Sequence, residues 1–340
     1  MSNRVLIVRV GAMGDVLHAL PAVTALRKAH PDWAIDWVVD PRWASLLVND
    51  HRRGVVVNHI HLAETKLWSK APLSGTTLRS IGTLRLNTRE MQYDLVVDMQ
   101  GTMRSAVIGR LASGKDFVGY ADPREAAAAA LYRRRIQRRG VHVVEQGAAL
   151  LSDATGEELT PAAVELPHER WADDWAAEVV GEQPTCVLAA SAGWGAKQWP
   201  VERFGELARE LRKVGYRVLA NAGRRDDVIA GKLVQASDGA AELAVCNVTG
   251  LIALLRRVSL VVGGDSGPVH LAAALGTPVI GLFGPTDPAR NGPWGAGPKR
   301  VLRDPSSRTS HKKVATIDPG LAKISVEQVM EAVAELGVRS

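Results

Sequence analysis

The sequence predicts an α/β protein made of two Rossmann-like domains. Short β-branched runs, the pattern of buried parallel strands, alternate with apolar helical segments in both halves of the chain. Between the halves, residues 153–183 carry acids and prolines without a strand pattern, which is typical of a domain junction. A length of 340 residues leaves room for two domains of ordinary size. We expect these domains to face each other across a cleft that holds the ligand.

The first domain is predicted to span residues 1–160. Its first strand is the run RVLIVRV at 4–10, followed by a turn at 11–15 and a helix over 16–30 that Pro21 kinks or delays. The other elements are predicted as strands at 35–39, 55–60 and 95–97 and helices at 75–91, 102–112 and around the five alanines 126–130.

The second domain is predicted to span residues 161–322. Its elements are predicted as strands at 185–190, 216–220, 259–262 and 278–283 and helices at 201–214, 225–236, 251–257 and 268–275. A capping box from Ser325 to Gln328 starts an amphipathic helix within 323–340. We expect that helix to pack back on the first domain.

The composition is that of a soluble globular protein. Hydrophobic residues make up 46% and charged residues 23%, which is enough for a sizeable core. No apolar run approaches the roughly 18 residues of a membrane span, and the N-terminal segment leads into a strand instead of a signal peptide. Cys186 and Cys246 are the only cysteines, and their apolar surroundings fit buried thiols in a reducing cytoplasm.

Two stretches of the first half are basic and lack acids. One lies between Glu64 and Glu90 and the other between Glu125 and Glu145. Their cations are Lys66, Lys70, Arg79, Arg85 and Arg89 in the first, and Arg133, Arg134, Arg135, Arg138 and Arg139 in the second. They are either solvated helix faces or a surface for an anionic partner, which could be a phosphorylated substrate, an acidic membrane face or nucleic acid.

Residues 259–288 form the most informative unit, because strand, glycine turn, helix and strand follow one another. The first turn of such a unit places free N–H groups and a helix N-terminus at the carboxyl edge of the sheet, where phosphates bind. The polar candidates there are Asp265, Ser266, Gly267 and His270. A nucleophilic serine is disfavoured because no G-x-S-x-G elbow is present.

Two further positions carry candidate chemistry. Lys197 lies in a glycine-rich loop between a strand and a helix, a position that suits a diphosphate ligand, although exposed loop lysines are common. Asp15 ends the turn after the first strand, where it is either a helix-capping carboxylate or a catalytic group. The dinucleotide fingerprint G-x-G-x-x-G is absent at this turn.

The sequence predicts no metal site. It has no Asp-x-Asp pair. His59 and His61 are alternate residues of one predicted strand, and no carboxylate or cysteine accompanies them there as a further metal ligand. If a diphosphate leaves during the reaction, protein cations and helix N-termini must therefore stabilise it.

Four segments together resemble a known family. These are VRVGAMGDVLHALPAVTALRKAHP at 8–31, VVDMQGTMRSA at 96–106, GWGAKQWPVERFGELA at 193–208 and GGDSGPVHLAAALGTPVIGLFGPTDP at 263–288. In this order they resemble the heptosyltransferases of glycosyltransferase family nine, which transfer heptose from ADP-heptose onto the inner core of lipopolysaccharide. The resemblance covers nearly the whole chain.

The resemblance implies a GT-B architecture, in which the first domain binds the acceptor and the second holds the nucleotide sugar. It implies an inverting, metal-independent transfer without a cofactor, with Asp15 as general base, Lys197 as diphosphate clamp and Asp227 on the ribose. It places Asp265, Ser266, Gly267 and His270 around the donor phosphates and sugar. It places three glycines in loops near the donor, namely Gly14, Gly193 and Gly223. The acceptor residues that it implies are Lys66, Lys70, Gln100, Gly101, Arg104 and Arg124.

The implied partners are ADP-heptose, an acidic Kdo–lipid A acceptor and, transiently, the inner-membrane surface, for a cytoplasmic or peripheral protein. Residues 13–18 look closer to family members that act on Kdo than to those of the second type. The segment 190–192 departs from the family's His-Pro-Gly, and residues 304–313 lack the cysteines of many relatives. The alternatives are the second acceptor type, a nucleotide-sugar epimerase of the same architecture or a non-catalytic nucleotide sensor. A nucleic-acid-binding module is disfavoured because the basic stretches have few stacking aromatics.

Overall fold

The computed structural model describes residues 3–310 and 314–337. The chain divides into two compact units, residues 1–167 and 168–340. The division falls inside the predicted junction, seven residues after the predicted boundary at 160 (167 − 160 = 7). Each unit contains one parallel six-stranded sheet with helices, so the predicted α/β class with two Rossmann-like domains is confirmed.

The sheet of unit 1 has its first strand near the centre. In chain order its strands are β1 (Arg4–Val8), β2 (Ala34–Val39), β3 (His59–Leu62), β4 (Leu95–Asp98), β5 (Asp116–Tyr120) and β6 (Arg134–Ile136). The order across the sheet is β3-β2-β1-β4-β5-β6, with all strands parallel. Val5 is level with Ile35 on one side and Leu95 on the other, and residues 5–8 are fully buried. Their β-branched and leucine side chains suit a strand covered on both faces.

The helices of unit 1 are α1 (Met13–Ala29), α2 (Thr65–Lys70), α3 (Gly75–Glu90), α4 (Met103–Ala112) and α5 (Val143–Thr155). The first helix starts earlier than predicted, so the expected turn at 11–15 ends inside it, and Pro21 lies within the helix without ending it. The alanines 126–130 form a 3-10 segment instead of the predicted helix, because the run is short and only Ala128 is buried.

Unit 2 repeats the same strand pattern. Its strands are β7 (Thr185–Ala189), β8 (Arg217–Ala222), β9 (Ala241–Val245), β10 (Leu260–Gly264), β11 (Val279–Leu282) and β12 (Lys299–Leu302), in the order β12-β11-β10-β7-β8-β9. Its helices are α6 (Arg170–Val180), α7 (Val201–Lys213), α8 (Val228–Ala236), α9 (Val248–Arg257), α10 (Gly267–Leu275), α11 (Pro288–Asn291) and α12 (Val326–Glu335). On one face of its sheet, α7, α8 and α12 pack a core of leucines, valines and aromatic rings such as Phe204 and Trp199.

Several elements differ from the prediction. The strand expected at 55–60 begins only at His59, because 55–58 form a loop in which Val55 is 49% exposed. The elements that were not predicted are β5, β6, β9, β12, α2, α5, α6 and α11. Two of these, β6 and β12, are edge strands with mostly exposed side chains, so neither shows the buried run that identifies an interior strand.

The C-terminal helix has the predicted capping box. Ser325 Oγ accepts the N–H of Gln328 at 3.3 Å, and Gln328 Oε1 accepts the N–H of Ser325 at 2.9 Å. Its apolar face lies in the core of unit 2, where Val329 and Val333 pack with Leu207. α7 and β11 of its own unit cover this apolar side, and packing of the helix on the first domain stays a prediction. Residues 338–340 of the predicted segment lie outside the described residues.

In the part of the chain that the structure describes, no helix has both the length and the apolar character needed to cross a bilayer.

Candidate functional site

Each sheet has a point where the chain direction across the sheet reverses. In unit 1 this point lies between β1 and β4, and in unit 2 between β7 and β10. Loops leaving the carboxyl ends of these neighbouring strands diverge to opposite faces and leave a crevice, where open α/β sheets bind ligands. The predicted residues Asp15, Gln100, Lys197 and Asp265 all follow one of these four strands.

Asp15 lies in the first turn of α1 and is held by Arg9. Asp15 Oδ1 accepts a hydrogen bond from Arg9 Nη2 at 2.9 Å, and Oδ2 accepts the N–H of Ala12 at 3.0 Å. The Arg9 side chain is 15% exposed and also donates to the carbonyls of Asp15 and Met99. The carboxylate of Asp15 is 37% exposed, so it is fixed by its partners and still open to a ligand. It therefore has the capping contact expected of a helix carboxylate together with the accessibility that a base requires.

Asp98, at the end of β4, organises the loop that carries Gln100 and Gly101. It is fully buried and accepts the N–H groups of Gln100 and Gly101 at 2.8 and 3.0 Å on Oδ1. Its Oδ2 accepts the hydroxyls of Ser105 and Tyr132 at 2.9 and 2.8 Å. Burial raises the pKa of Asp98 above its ordinary value, although these four hydrogen bonds oppose the rise. Asp98 was not among the predicted residues, although a carboxylate at the end of a buried strand is a usable sequence signal.

Gln100 and Gly101 lie where neighbouring segments of unit 1 meet. Gln100 Oε1 accepts the N–H of Val10 at 2.7 Å, which ties the ends of β1 and β4 together at the crevice. Gly101 has a positive φ of 72°, and a Cβ there would lie 3.1 Å from the backbone nitrogen of Arg124. The loops of Gly101 and Arg124 therefore meet, and the Arg124 side chain is exposed beside them.

Three predicted acceptor cations lie around α2. Lys66 and Lys70 are on this helix and are exposed, and Arg104 on α4 donates to Ser69 Oγ at 3.1 Å. The helix is attached to the carboxyl end of β2 because Thr65 donates to Asp40 Oδ2 at 3.0 Å. These three cations thus share one side of the carboxyl edge of unit 1.

Three of the five arginines in the second basic stretch form ion pairs within unit 1. Arg134 pairs with Asp116 at 2.8 Å, Arg138 with Asp122 at 3.1 Å and Arg139 with Asp153 at 2.5 Å. These acids are distant in sequence, which is why the stretch reads as purely basic. The net positive charge of this stretch is therefore smaller than its sequence suggests, so the stretch attracts an anionic partner less strongly.

The polar centre of unit 2 is formed by Lys197, Asp265 and His270. Asp265 is 8% exposed and accepts Lys197 Nζ at 2.5 Å on Oδ2 and His270 Nε2 at 2.7 Å on Oδ1. The Lys197 ammonium is 16% exposed and lies 5.4 Å from the ring centre of Trp194. Lys197 is therefore a fixed charge and not a mobile loop lysine.

The ionisation of Asp265 is set by these partners. Burial alone would raise the pKa of this carboxyl group. The hydrogen bond and charge of His270, together with the Lys197 ammonium, outweigh burial and hold the pKa well below its usual range. Asp265 is thus an anion at neutral pH that holds the Lys197 ammonium and the His270 ring.

The two glycines at the end of β10 are required because neighbouring backbone passes close to them. A Cβ on Gly264 would lie 2.5 Å from the carbonyl oxygen of Lys197, and one on Gly263 would lie 2.7 Å from that of Ala189. Residues 190–197, which we call the clamp loop, can therefore cross the end of β10 only because Gly264 lacks a side chain. Gly263 instead faces the end of β7.

Two buried hydroxyls next to this centre lack partners. Ser266 precedes α10 and Thr286 follows β11, and they are 9% and 4% exposed. Among the described residues, neither Ser266 Oγ nor Thr286 Oγ1 has a hydrogen-bond partner. Buried hydroxyls are normally paired, so unpaired ones beside the free N–H groups of a helix N-terminus are suited to a polar ligand. Gly267, which was predicted together with Ser266, is the first residue of α10.

Asp227 caps α8. Its Oδ1 accepts the N–H groups of Ile229 and Ala230 at 3.1 and 3.0 Å and the Ser191 hydroxyl at 3.3 Å, so it also contacts the clamp loop. A Cβ at Gly193 or Gly223 would meet nothing within 4 Å, which leaves open space beside both turns.

Arg303 is a residue of this edge that the sequence gave no reason to select. Its Nε donates to the carbonyl of Gly284 at 3.1 Å, and Nη2 donates to Ser307 and Thr309. It therefore attaches the segment 303–309 to the turn after β11. Within residues 3–310 and 314–337, no group of three or more His, Cys, Asp or Glu side chains is arranged to hold a metal ion.

Residues 81–318 match the model of glycosyltransferase family 9 (heptosyltransferase). The chain belongs to this family. The family 9 assignment inferred from the four motifs is confirmed, and so is the expectation of a glycosyltransferase. Over 331 residues the chain is 31% identical to lipopolysaccharide heptosyltransferase 1 of Pseudomonas aeruginosa, covering 93% of this chain and 88% of that protein.

Solved family 9 structures have the same fold. The Escherichia coli heptosyltransferase WaaC with ADP superposes with a TM-score of 0.79 at 27% identity, covering 98% of this chain and 99% of that one. The same enzyme with ADP-2-deoxy-2-fluoro heptose gives a TM-score of 0.77 at 26% identity and the same coverage.

Proposed function

We propose that this family 9 chain transfers heptose from ADP-heptose onto the Kdo region of the lipopolysaccharide inner core, inverting the anomeric carbon without a metal ion. The observation that carries the proposal is the buried ion pair of Lys197 and Asp265 beside the N-terminus of α10. The similarity to heptosyltransferase 1 and to an enzyme solved with ADP supports the choice of donor.

Unit 2 supplies the groups that a nucleotide diphosphate needs. An ammonium has three N–H bonds, and Lys197 uses one on Asp265, which leaves two for phosphate oxygens. The free N–H groups of α10 and the unpaired hydroxyl of Ser266 add donors in a largely buried setting. Asp227 keeps Oδ2 without a bond to any described residue, so it can accept from the ribose hydroxyls. These fixed donors stabilise the charge that develops on the departing ADP.

Unit 1 supplies the base. Asp15 is a partly exposed carboxylate whose orientation is fixed by Arg9 and by the backbone of Ala12. A carboxylate that is held in this way removes a proton from the acceptor hydroxyl without first having to be oriented. Lys66, Lys70 and Arg104 lie along the same edge and attract the carboxylates and phosphates of the acceptor.

The proposed reaction is a single displacement. The acceptor hydroxyl gives its proton to Asp15 while its oxygen forms a bond to the anomeric carbon of heptose. The bond from that carbon to the β-phosphate oxygen breaks, and its electron pair leaves with ADP. Attack from the face opposite the leaving group inverts the configuration. A positioned general base contributes about 10²–10⁴-fold to such a rate.

The test is a transfer assay with purified protein, ADP-heptose and an acceptor that ends in Kdo. Transfer should give a product with inverted anomeric configuration by NMR, at a rate that EDTA does not change. Epimerisation of ADP-heptose without acceptor would instead assign an epimerase. Transfer only to an acceptor that already carries heptose would assign the second acceptor type.

A further inference from the structure

Three leucines of unit 1 lie in solvent near α2 and α3. Leu73, in the turn between these helices, is 87% exposed, and Leu86 and Leu78 on α3 are 70% and 58% exposed. Leu73 and Leu86 are more exposed than any other large apolar side chain of the described residues. All three fall within residues 73–86, and apolar side chains that share one exposed face favour an interaction surface over isolated surface positions.

The geometry of α3 places these leucines away from the core. Its buried residues are Thr77, Leu84 and Thr88, which share one side of the helix. With 3.6 residues per turn, Arg79 and Leu86 lie roughly opposite that side. The outward side of α3 therefore combines apolar and cationic side chains, and we call Leu73, Leu78, Arg79, Arg85 and Leu86 the α3 face.

The cations of this face remain available. Among the described residues, neither Arg79 nor Arg85 forms an ion pair, and both are exposed. No acid occurs between Glu64 and Glu90 in the sequence, and Glu64 itself accepts a hydrogen bond from Ser80. This contrasts with Arg134, Arg138 and Arg139, which carboxylates of unit 1 neutralise.

We propose that the α3 face docks on an anionic phospholipid bilayer. Its leucines enter the boundary between headgroups and acyl chains, and its arginines bind lipid phosphates. Symmetric pairing with a second copy would place the arginines of both copies against each other, so charge complementarity favours an anionic surface. The proposal rests on the proposed function only for the presence of a lipid-linked acceptor, since lipid binding itself needs neither donor nor acceptor.

The test is flotation of the full chain with vesicles of phosphatidylcholine, with and without phosphatidylglycerol, in the absence of both substrates. We expect binding to the anionic vesicles only. The triple variant Leu73→Ser/Leu78→Ser/Leu86→Ser and the double variant Arg79→Gln/Arg85→Gln should each weaken it about tenfold or more. The matched control is Val55→Ser/Val107→Ser/Val141→Ser, which removes exposed apolar side chains elsewhere in unit 1 and should bind like the unmodified chain.

Activity measurements separate this proposal from acceptor recognition. Both α3-face variants should keep kcat/KM within about twofold on an acyl-free acceptor in solution and lose about tenfold on the same acceptor lipid in anionic vesicles. Unchanged flotation of both variants would overturn the proposal. A dimer of the unmodified chain that the leucine variant dissociates, with vesicle binding intact, would assign the face to a second copy and also overturn it. If the chain floats normally but transfers no heptose, the proposed function fails and the docking surface stands.

Discussion

Replacing Asp265 by asparagine tests whether the polar centre of unit 2 is a true buried charge cluster. The substitution keeps the shape of the side chain but removes the anion that holds Lys197 at 2.5 Å and His270 at 2.7 Å. A hydrogen bond to a charged group contributes about 1.5–3 kcal/mol, and breaking a buried pair costs about 3–5 kcal/mol. Since Lys197 keeps 16% exposure, we expect the lower end, ~3 kcal/mol of unfolding free energy. For a unit of this size that lowers Tm by roughly 6–12 °C.

The pH dependence of the stability provides an independent test of the same charge cluster. Folding lowers the pKa of Asp265, so its stabilisation is complete above the unfolded-state pKa of about 3.9 and is lost as pH falls below that value. The difference in Tm between the parent chain and Asp265→Asn should therefore be constant from neutral pH down to about pH 5 and shrink below about pH 4. The variant should also raise the KM for the donor, because nothing then fixes the Lys197 ammonium.

The control is Asp318→Asn, in the same unit. Asp318 is 9% exposed and accepts only neutral donors in the described structure, the Ser307 hydroxyl at 2.6 Å and the N–H of Leu321 at 2.9 Å. It should cost less stability and leave the donor KM unchanged. Adding Lys197→Met to Asp265→Asn should recover part of the lost stability, because the uncompensated cation is removed. A cost below about 1 kcal/mol, or additive effects in the double variant, would refute the buried charge cluster.

Three other substitutions follow from the site. Asp15→Ala should lower kcat about 100-fold or more in the heptose-transfer assay with the donor KM unchanged, and activity within about threefold of the parent would exclude a general base. Gly264→Ala should destabilise the fold by about 1–3 kcal/mol in urea unfolding and raise the donor KM, because its Cβ would meet the clamp loop at 2.5 Å. The control Gly231→Ala, inside α8, meets nothing within 4 Å, so it should not destabilise the fold and should leave the donor KM unchanged. Lys66→Gln/Lys70→Gln should raise the KM for the acidic acceptor about tenfold and weaken its salt dependence, and an unchanged KM would remove both from acceptor binding.

The sequence was informative wherever the physical signal is local. The buried strands β1, β7 and β10 show as β-branched runs because parallel strands are apolar on both faces. The helix boundaries at α3 and α4 were close to their caps, where Ser74 and Thr102 accept backbone N–H groups. Edge strands such as β12 were not predicted. Three of the four residues of β12 are exposed, and the strand has no periodic pattern of apolar residues.

For a similar reason, the sequence predicted several residues of the site but not the contacts between them. Lys197 was selected separately from Asp265 and His270, and nothing local reveals that the one carboxylate accepts hydrogen bonds from both other side chains. Arg9 was hidden because it continues the first strand run, and its pairing with Asp15 depends on where the chain turns. The ion pairs of the second basic stretch were also invisible, because Asp116 and Asp153 reach it only through the order of the strands.

The ion pairs of Asp265 with Lys197 and His270 are formed within unit 2, whereas the hydrogen bonds of Asp15 with Arg9 and of Arg104 with Ser69 are formed within unit 1. If unit 1 binds the acceptor and Lys197 the donor, as proposed, a substitution on α2 or α4 can alter acceptor choice without breaking the Lys197–Asp265 pair. Evolution can vary the two halves of the reaction separately. A change of acceptor in such a chain would require altering only one of its units, with the recognition of the sugar nucleotide inherited intact.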